Sequence, residues 1–165
     1  MADSDARTGF GALLQKALPG SGSEPDFLTI LGIKSIDGPS ISRDTHDTTV
    51  MTSPGGWREF IGGLKDGGEV SFSANWLPRD ETQGQGDEGL MAEFDKDSCE
   101  SRGTWRILIP SCPGEPEVYL DFSGILTGQN VSIPMDDLMS FEGTIKVSGR
   151  PTLTIEDLSG DGVSV

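Results

Sequence analysis

Residues 40–76 read SISRDTHDTTVMTSPGGWREFIGGLKDGGEVSFSANW, and the rest of the chain is organised around this stretch. Its C-terminal part, Glu69–Trp76, alternates between apolar and polar residues, which is typical of a strand with one buried face and one wet face. The N-terminal part, Ser40–Met51, is rich in Ser and Thr and is hardly apolar on either face. It predicts a strand that faces water or another subunit on at least one side.

The 17 residues between these two predicted strands, Thr52–Gly68, are too many for a hairpin turn. Four large apolar residues in this loop are spaced as on one face of a helix, although paired glycines interrupt them: Trp57, Phe60, Ile61 and Leu64. Four such side chains do not offset the conformational entropy that is lost when so long a loop becomes ordered. We therefore expect the loop to be disordered in the free subunit and to settle on a neighbouring subunit in preference to its own domain.

The composition is that of one acidic, glycine-rich domain. The chain has 165 residues, 34% of them hydrophobic, with 23 Gly, which favours a β-rich fold with many turns. Its 27 acidic and 12 basic residues give a net charge of −15, which disfavours specific binding to nucleic acids or anionic membranes. No run reaches the roughly 20 apolar residues of a membrane span. The N-terminus shows no signal-peptide core, so we expect residence in the cytosol.

The remaining sequence predicts further strands and one helix. The further predicted strands cover residues 26–36, 102–109, 118–133, 139–148 and 152–158, the last at an edge. Asp87–Asp97 predicts the helix, with Leu90, Met91 and Phe94 on one apolar stripe. Residues 80–100 carry eight acids and one Lys, which we interpret as a solvated outer face in preference to a cation site.

Together these elements predict a mainly β fold, a barrel or sandwich of about seven strands with one flanking α-helix and a long inter-strand loop. We expect an N-terminal arm over residues 1–25, with a helical turn in LLQKAL (13–18). The β domain then covers residues 26–155 and a C-terminal tail covers residues 156–165, of which SGDGVSV (159–165) is expected to be mobile.

Signatures of an enzyme are weak. The only histidine, His46, shares a predicted strand face with Asp44, and a polar strand accounts for both residues. The sequence has no nucleophile elbow, dinucleotide fingerprint or calcium loop. Cys99 and Cys112 lie 13 residues apart without a CxxC motif, which favours reduced thiols over a disulfide or a metal pair. We expect no catalytic residues, no cofactor and no metal site.

Four segments, in this order and at these spacings, resemble the major tail tube proteins of lambda-like phages with long, non-contractile tails. The segments are GFGALLQ (9–15), GPSISRDTHDTT (38–49), SPGGWREFIGGLKDGGEVSF (53–72) and VSGRPTL (147–153). The resemblance implies a structural subunit of the virion tail, assembled in the host cytoplasm, and not an enzyme. It also implies rings of six subunits, whose strands join into one β-barrel around a channel that conducts DNA during ejection.

The same resemblance implies roles for particular residues. Rings are expected to stack through the loop that matches Thr52–Gly68, with these residues: Trp57, Arg58, Glu59, Phe60, Ile61, Leu64, Lys65 and Asp66. The wet strand faces are expected to line an acidic channel, with these residues: Asp44, Glu69, Ser71, Ser73, Glu142, Thr144 and Lys146. The N-terminal arm is expected to reach a neighbouring subunit. Besides other copies of the chain, the implied partners are tape-measure, tail terminator and distal tail proteins, with DNA passing transiently and no membrane.

Two other functional classes remain open at this point. A stand-alone acidic β-sandwich that binds a small ligand or carbohydrate would be a monomer with one concave site. A tube subunit of a secretion-type system with a related fold would work with a contractile sheath. An enzyme is the third and weakest alternative.

Overall fold

The computed structural model describes residues 8–19, 25–84, 86–156 and 162–164. These ranges contain a short 3-10 turn, Pro54–Gly56, one helix and ten strands. The elements are β1 (Leu13–Ala17), β2 (Phe27–Thr29), β3 (Ile33–Asp37), β4 (Ser42–Asp47), β5 (Phe60–Asp66), β6 (Glu69–Asn75), α1 (Leu90–Phe94), β7 (Arg102–Ile109), β8 (Glu117–Ser132), β9 (Ser140–Glu156) and β10 (Gly162–Ser164).

Eight strands form one antiparallel sheet in the order β2-β1-β7-β8-β9-β6-β3, with β10 paired to β9. Strands β2 and β3 lie at opposite ends of this order, yet only residues 30–32 separate them in the chain. Three residues span at most about 10–14 Å, so the two edges of the sheet lie close together. The connection also bonds to both sides, because Ile30 N donates to Leu14 O (2.9 Å) and Asn75 N donates to Gly32 O (2.8 Å). The sheet is therefore rolled up, and the predicted mainly β fold is confirmed.

The core fills the inside of this rolled sheet with the apolar residues of alternating strands. In β6 the residues Val70, Phe72 and Ala74 are buried, as the alternation of that segment predicts. Phe72 stacks on Phe141 of β9 with ring centroids 6.1 Å apart. Trp105 of β7 is fully buried and donates its indole N–H to the carbonyl oxygen of Gly124. Alternation at period two thus places one apolar face inward and leaves the other face polar.

Several predicted elements are wrong at the two ends of the chain. The helical turn expected in residues 13–18 is a strand, because Leu14 and Lys16 are buried with period two, and the predicted arm therefore contains a strand of the sheet. The single strand expected at 26–36 breaks at Gly32, whose φ of +76° a side chain would strain. The two strands expected at 139–148 and 152–158 form one continuous strand, β9.

The predicted C-terminal tail contains a short strand. Residues 162–164 pair with β9 as strand β10, which the sequence did not predict, and the mobility of the tail stays a prediction. Residues 157–161 and Val165 lie outside the described residues, as do residues 1–7 and 20–24 of the predicted arm.

The helix is shorter than predicted and buries a different set of side chains. It covers only Leu90–Phe94, and Phe94, which the predicted stripe places inside, is 48% exposed. Glu93 is buried instead, because its carboxylate pairs with Lys16 of β1 (2.8 Å) and with Lys96 (2.6 Å). The acidic segment is therefore not wholly solvated, since one of its acids holds α1 against the sheet.

Candidate assembly surfaces

The predicted loop Thr52–Gly68 is replaced in the structure by half of a β-hairpin. Strand β5 lies inside this range and pairs antiparallel with β4, while Pro54–Gly56 forms a 3-10 turn near the tip. Phe60 and Ile61 lie on opposite faces of β5, and a register shift between Gly62 and Lys65 interrupts the period-two alternation before Leu64. The expected helical stripe is therefore wrong, because these residues lie on a strand that pairs with β4. Disorder of the segment in the free subunit stays a prediction.

This hairpin, residues 42–66, is exposed on both faces. All six residues of β4 and six of the seven residues of β5 are exposed. Its exposed apolar side chains, with the flanking Ile41, are Ile41, Val50, Met51, Trp57, Phe60, Ile61 and Leu64, and Trp57 and Leu64 are 79% and 82% exposed. A two-stranded hairpin is marginally stable in water unless another surface covers it. The domain itself does not supply that surface.

An ion pair and a glycine with a positive φ hold the base of the hairpin against the sheet. Lys146 of β9 donates to both carboxylate oxygens of Asp66 at 2.9 and 3.1 Å, and Gly68 N donates to the same carboxylate at 2.9 Å. The hydrogen bond from Gly68 and the nearby Lys146 ammonium lower the pKa of Asp66. Gly68 has a φ of +72°, and a Cβ there would overlap the carbonyl oxygen of Ser40. The hairpin therefore leaves the sheet at a defined point.

The polar face of β6 and β9 brings together six of the seven residues predicted to line a channel. They form three directly opposed cross-strand pairs: Glu69 with Lys146, Ser71 with Thr144, and Ser73 with Glu142. Residues of neighbouring strands extend this polar face: Ser35 Oγ lies 2.8 Å from Ser73 Oγ, Asp37 lies opposite Ser71, and Asn130 Nδ2 lies 3.4 Å from Glu142 Oε2. The seventh predicted residue, Asp44, lies apart on the exposed hairpin.

This polar face carries more carboxylates than cations. Its only predicted cation, Lys146, is paired with Asp66 and is therefore already neutralised by this chain. Glu69, Glu142 and Asp37 have no basic partner of that kind among the described residues. The face can repel phosphate groups, and it offers hydroxyl and amide groups that hold water.

A second exposed apolar surface lies at the other end of the sheet, and the sequence reasoning missed it. We call it the far-end surface; its members are Leu31, Leu77, Ile133, Met135, Leu138 and Met139. Trp76 N donates to Met139 O (2.9 Å), which joins two of its segments just beyond the Asn75 end of β6. The sequence contains one indication of this surface, the turn IPMDDLM (133–139), where four of seven residues are large and apolar.

The described residues also include an open groove and two exposed thiols. An open groove of about 870 Å³ runs between the hairpin base and β9, with Leu64, Val147 and Pro151 among its lining residues. Cys99 and Cys112 are both free and exposed. In the described ranges there is no group of three or more His, Cys, Asp or Glu residues that could hold a metal ion. None of the helices in those ranges is long and apolar enough to cross a membrane.

Comparisons with known proteins identify a family and two similar folds. A family model described as lambda phage tail tube protein matches residues 15–154. A chain from the tail of an empty GTA particle, computed with helical refinement and C6 symmetry, is 22% identical with a TM-score of 0.65, over 88% of this chain and 97% of that chain. A chain from the virion of a native gene transfer agent particle is 21% identical with a TM-score of 0.64, over 90% and 99%. These two likenesses concern the fold, and no curated protein gives a significant match.

Proposed function

This chain belongs to the lambda phage tail tube protein family, and we propose that it forms hexameric rings that stack into a tube whose acidic channel conducts DNA during ejection. The membership makes it a structural subunit of a phage-like tail, and the family is one of structural proteins and not of enzymes. The observation that carries the assembly proposal is the hairpin, residues 42–66, whose apolar side chains have no cover within the chain. In a tube, a neighbouring ring covers them.

The polar face of β6 and β9 supports the channel proposal. In a ring, this face points toward the axis, so that Glu69 and Glu142 present carboxylates to passing DNA. Lys146 is held by Asp66, so its ammonium is already paired with a carboxylate of this chain and is less available to phosphates. DNA then slides without specific contacts. Asp44 lies on the hairpin, and its place in the channel stays a prediction from the sequence.

Assembly is tested directly with the purified protein. Sedimentation velocity and negative-stain microscopy over a range of concentrations are expected to show rings or tubes without any added cofactor. A protein that stays strictly monomeric at high concentration and binds a small sugar in the groove beside β9 would instead favour the β-sandwich binding module. Tubes that form only together with a contractile sheath would favour the secretion-type subunit.

The channel is tested by reversing charge on the polar face. Particles that carry Glu69→Lys and Glu142→Lys are expected to assemble normal tails and to eject DNA poorly at low salt, with recovery as salt rises. Each added Lys contributes roughly one counterion to the salt dependence. Glu142→Lys alone is a useful second variant, because Glu69→Lys places two cations directly opposite each other.

A matched control makes the same change of charge elsewhere. Asp95 and Asp97 are exposed acids just after α1, and replacing both with Lys is expected to leave ejection normal. Normal ejection of the Glu69→Lys and Glu142→Lys particles at every salt concentration would show that these residues do not meet DNA. The tape-measure, tail terminator and distal tail proteins remain proposed partners of the assembled tube, and the N-terminal arm remains a proposed contact between subunits.

A further inference from the structure

A second open groove, of about 500 Å³, lies between the end of β1, the start of β7 and the segment that contains α1. None of the residues proposed for ring stacking or for the channel lines it. Its charged lining residues are Lys16, Glu93, Lys96, Glu100 and Arg102. Three of the 12 basic residues of the chain thus line one groove, where they accompany only two carboxylates. In a chain with a net charge of −15, this local excess of cations favours an anion.

The floor of the groove is an ion cluster in which one carboxylate holds two ammonium groups. Lys16 and Lys96 contact the same oxygen of Glu93, Oε2, at 2.8 and 2.6 Å, and Lys16 also donates to the carbonyl oxygen of Glu88 at 3.0 Å. The side chains of Lys16 and Glu93 are 1% exposed, and that of Lys96 is 26% exposed. The cluster therefore carries one excess positive charge out of full contact with water. Because such a charge is costly without a partner, a bound anion would stabilise the cluster.

Hydrogen-bond donors remain available beside this cluster. An ammonium group has three N–H donors, and a guanidinium group has five. Lys96 uses one donor in its contact with Glu93, and the exposed Arg102 forms no ion pair with another described residue. These two side chains can therefore donate to the oxygens of a small oxyanion, one from the floor of the groove and one from its rim.

One acceptor in the groove has no donor. Glu93 Oε1 is buried and lacks a hydrogen-bond partner among the described residues, which is unfavourable for a carboxylate oxygen. This oxygen lies next to Gly103, where an added Cβ would come within 3.2 Å of it, so the glycine leaves space beside the oxygen. A ligand that satisfies the groove must therefore accept hydrogen bonds from cations and also donate one hydrogen bond.

We propose that this groove binds inorganic phosphate. Near neutral pH, phosphate is a mixture of its monoanion and dianion, and both forms carry at least one P–OH group beside their acceptor oxygens. Lys96 and Arg102 donate to those oxygens, while the P–OH group donates to Glu93 Oε1. Sulfate has the same shape but carries no proton near neutral pH, so it leaves Oε1 without a donor and places two anionic oxygens against each other. The site does not depend on the proposed tube.

Calorimetric titration of the purified protein with sodium phosphate and with sodium sulfate, at pH 7 and equal ionic strength, tests the site. Phosphate is expected to bind at least about tenfold more tightly than sulfate, because a hydrogen bond to a charged group contributes that much. In a ¹⁵N amide spectrum, phosphate is expected to shift the resonances of Gly103 and Thr104, which line the groove.

Substitutions of accessible side chains locate the bound ion without disturbing the buried pair. Lys96→Gln and Arg102→Gln are each expected to weaken phosphate binding by about tenfold or more, since each removes a charged donor. The matched control is Arg79→Gln, which removes the same charge from an exposed position outside the groove. It is expected to leave the affinity within about twofold, because salt screens a distant charge. Urea unfolding without phosphate checks that all three variants are folded.

Each alternative result would overturn the inference. No binding of phosphate at millimolar concentrations would show that water alone satisfies the groove. Equal binding of sulfate would show that no proton is donated to Glu93. An equal loss in Arg79→Gln and Arg102→Gln, or amide shifts confined to other strands, would place the ion elsewhere. Because none of these measurements depends on tube formation, the phosphate site and the proposed function can fail separately.

Discussion

Two tryptophans of this protein are expected to respond to truncation in opposite ways. Trp57 is 79% exposed on the hairpin, and Trp105 is fully buried in β7. Trp57→Ala is expected to change the free energy of unfolding of the free subunit by no more than about 0.5 kcal/mol, as at other exposed positions. Trp105→Ala is expected to lower it by about 3–5 kcal/mol, because a buried aromatic side chain leaves a cavity.

Trp57→Ala is expected to have its large effect on tube formation. A tryptophan side chain that is 79% exposed leaves about 120–200 Å² to be covered by a neighbour, which corresponds to about 3–5 kcal/mol at about 25 cal/mol per Å². At tenfold per 1.4 kcal/mol, Trp57→Ala is expected to raise the concentration needed for tubes by at least about 100-fold. Phe60→Ala, at 57% exposure, is expected to act in the same direction with a smaller effect.

Urea unfolding of the free subunit and a concentration series by sedimentation measure these two quantities separately. Amide hydrogen exchange of residues 52–68 adds the local view, with weak protection expected in the free subunit and strong protection in the tube. A loss of more than about 2 kcal/mol in the free Trp57→Ala subunit would show that the side chain packs on its own domain. Strong protection of residues 52–68 already in the free subunit would lead to the same conclusion.

Three further predictions concern the sheet. The hydrogen bond that Tyr119 donates to Glu156 is the largest cause, and burial the second, of a rise in the pKa of Tyr119 to about 12. Ultraviolet titration is therefore expected to show ionisation of Tyr119 at an unusually high pH. Glu156→Gln is expected to bring the pKa of Tyr119 back toward 10. Because the folded pKa is raised, this stabilisation is complete below about pH 10 and is lost as the pH rises toward 12, which pH-dependent unfolding measures. Glu93→Gln, which removes the charge that compensates the buried Lys16, is expected to cost about 3–5 kcal/mol in urea unfolding, and the Lys16→Met, Glu93→Leu double variant is expected to recover most of it. Gly68→Ala is expected to destabilise the hairpin base by more than about 1 kcal/mol, seen as faster exchange of hairpin amides while exchange in the core strands stays slow.

Where a segment has a strong pattern of its own, the sequence predicted the structure well. The alternation of Glu69–Trp76 predicted β6 almost to the residue, and the predicted strand at 102–109 is β7. In both segments one face is apolar throughout, so a shift of one residue would expose the core face, and the pattern admits only one register. The polar residues on the opposite faces followed from the same alternation.

Other segments have patterns that two structures satisfy equally well. Residues 13–18 fit a helical turn or a strand. They form a strand because β2 and β7 offer backbone hydrogen-bond partners on both sides of β1. The spacing of Phe60, Ile61 and Leu64 fits a helix, but pairing with β4 satisfies the backbone groups of a glycine-rich segment in an extended conformation. Glu93 pairs with Lys16 across 77 positions of the chain, and no local pattern predicts such a contact.

The sequence by itself determined the mainly β fold, the acidic polar face and the family, because these depend on composition, on local alternation and on the order of short segments. The tertiary structure alone decided which residues meet. Antiparallel pairing of β6 with β9 placed six predicted polar residues on one face, and the short connection at residues 30–32 rolled the sheet. Pairing also placed the hairpin and the far-end surface at opposite ends of β6. Such placements depend on contacts between residues far apart in the chain, and the chain must fold before those contacts exist.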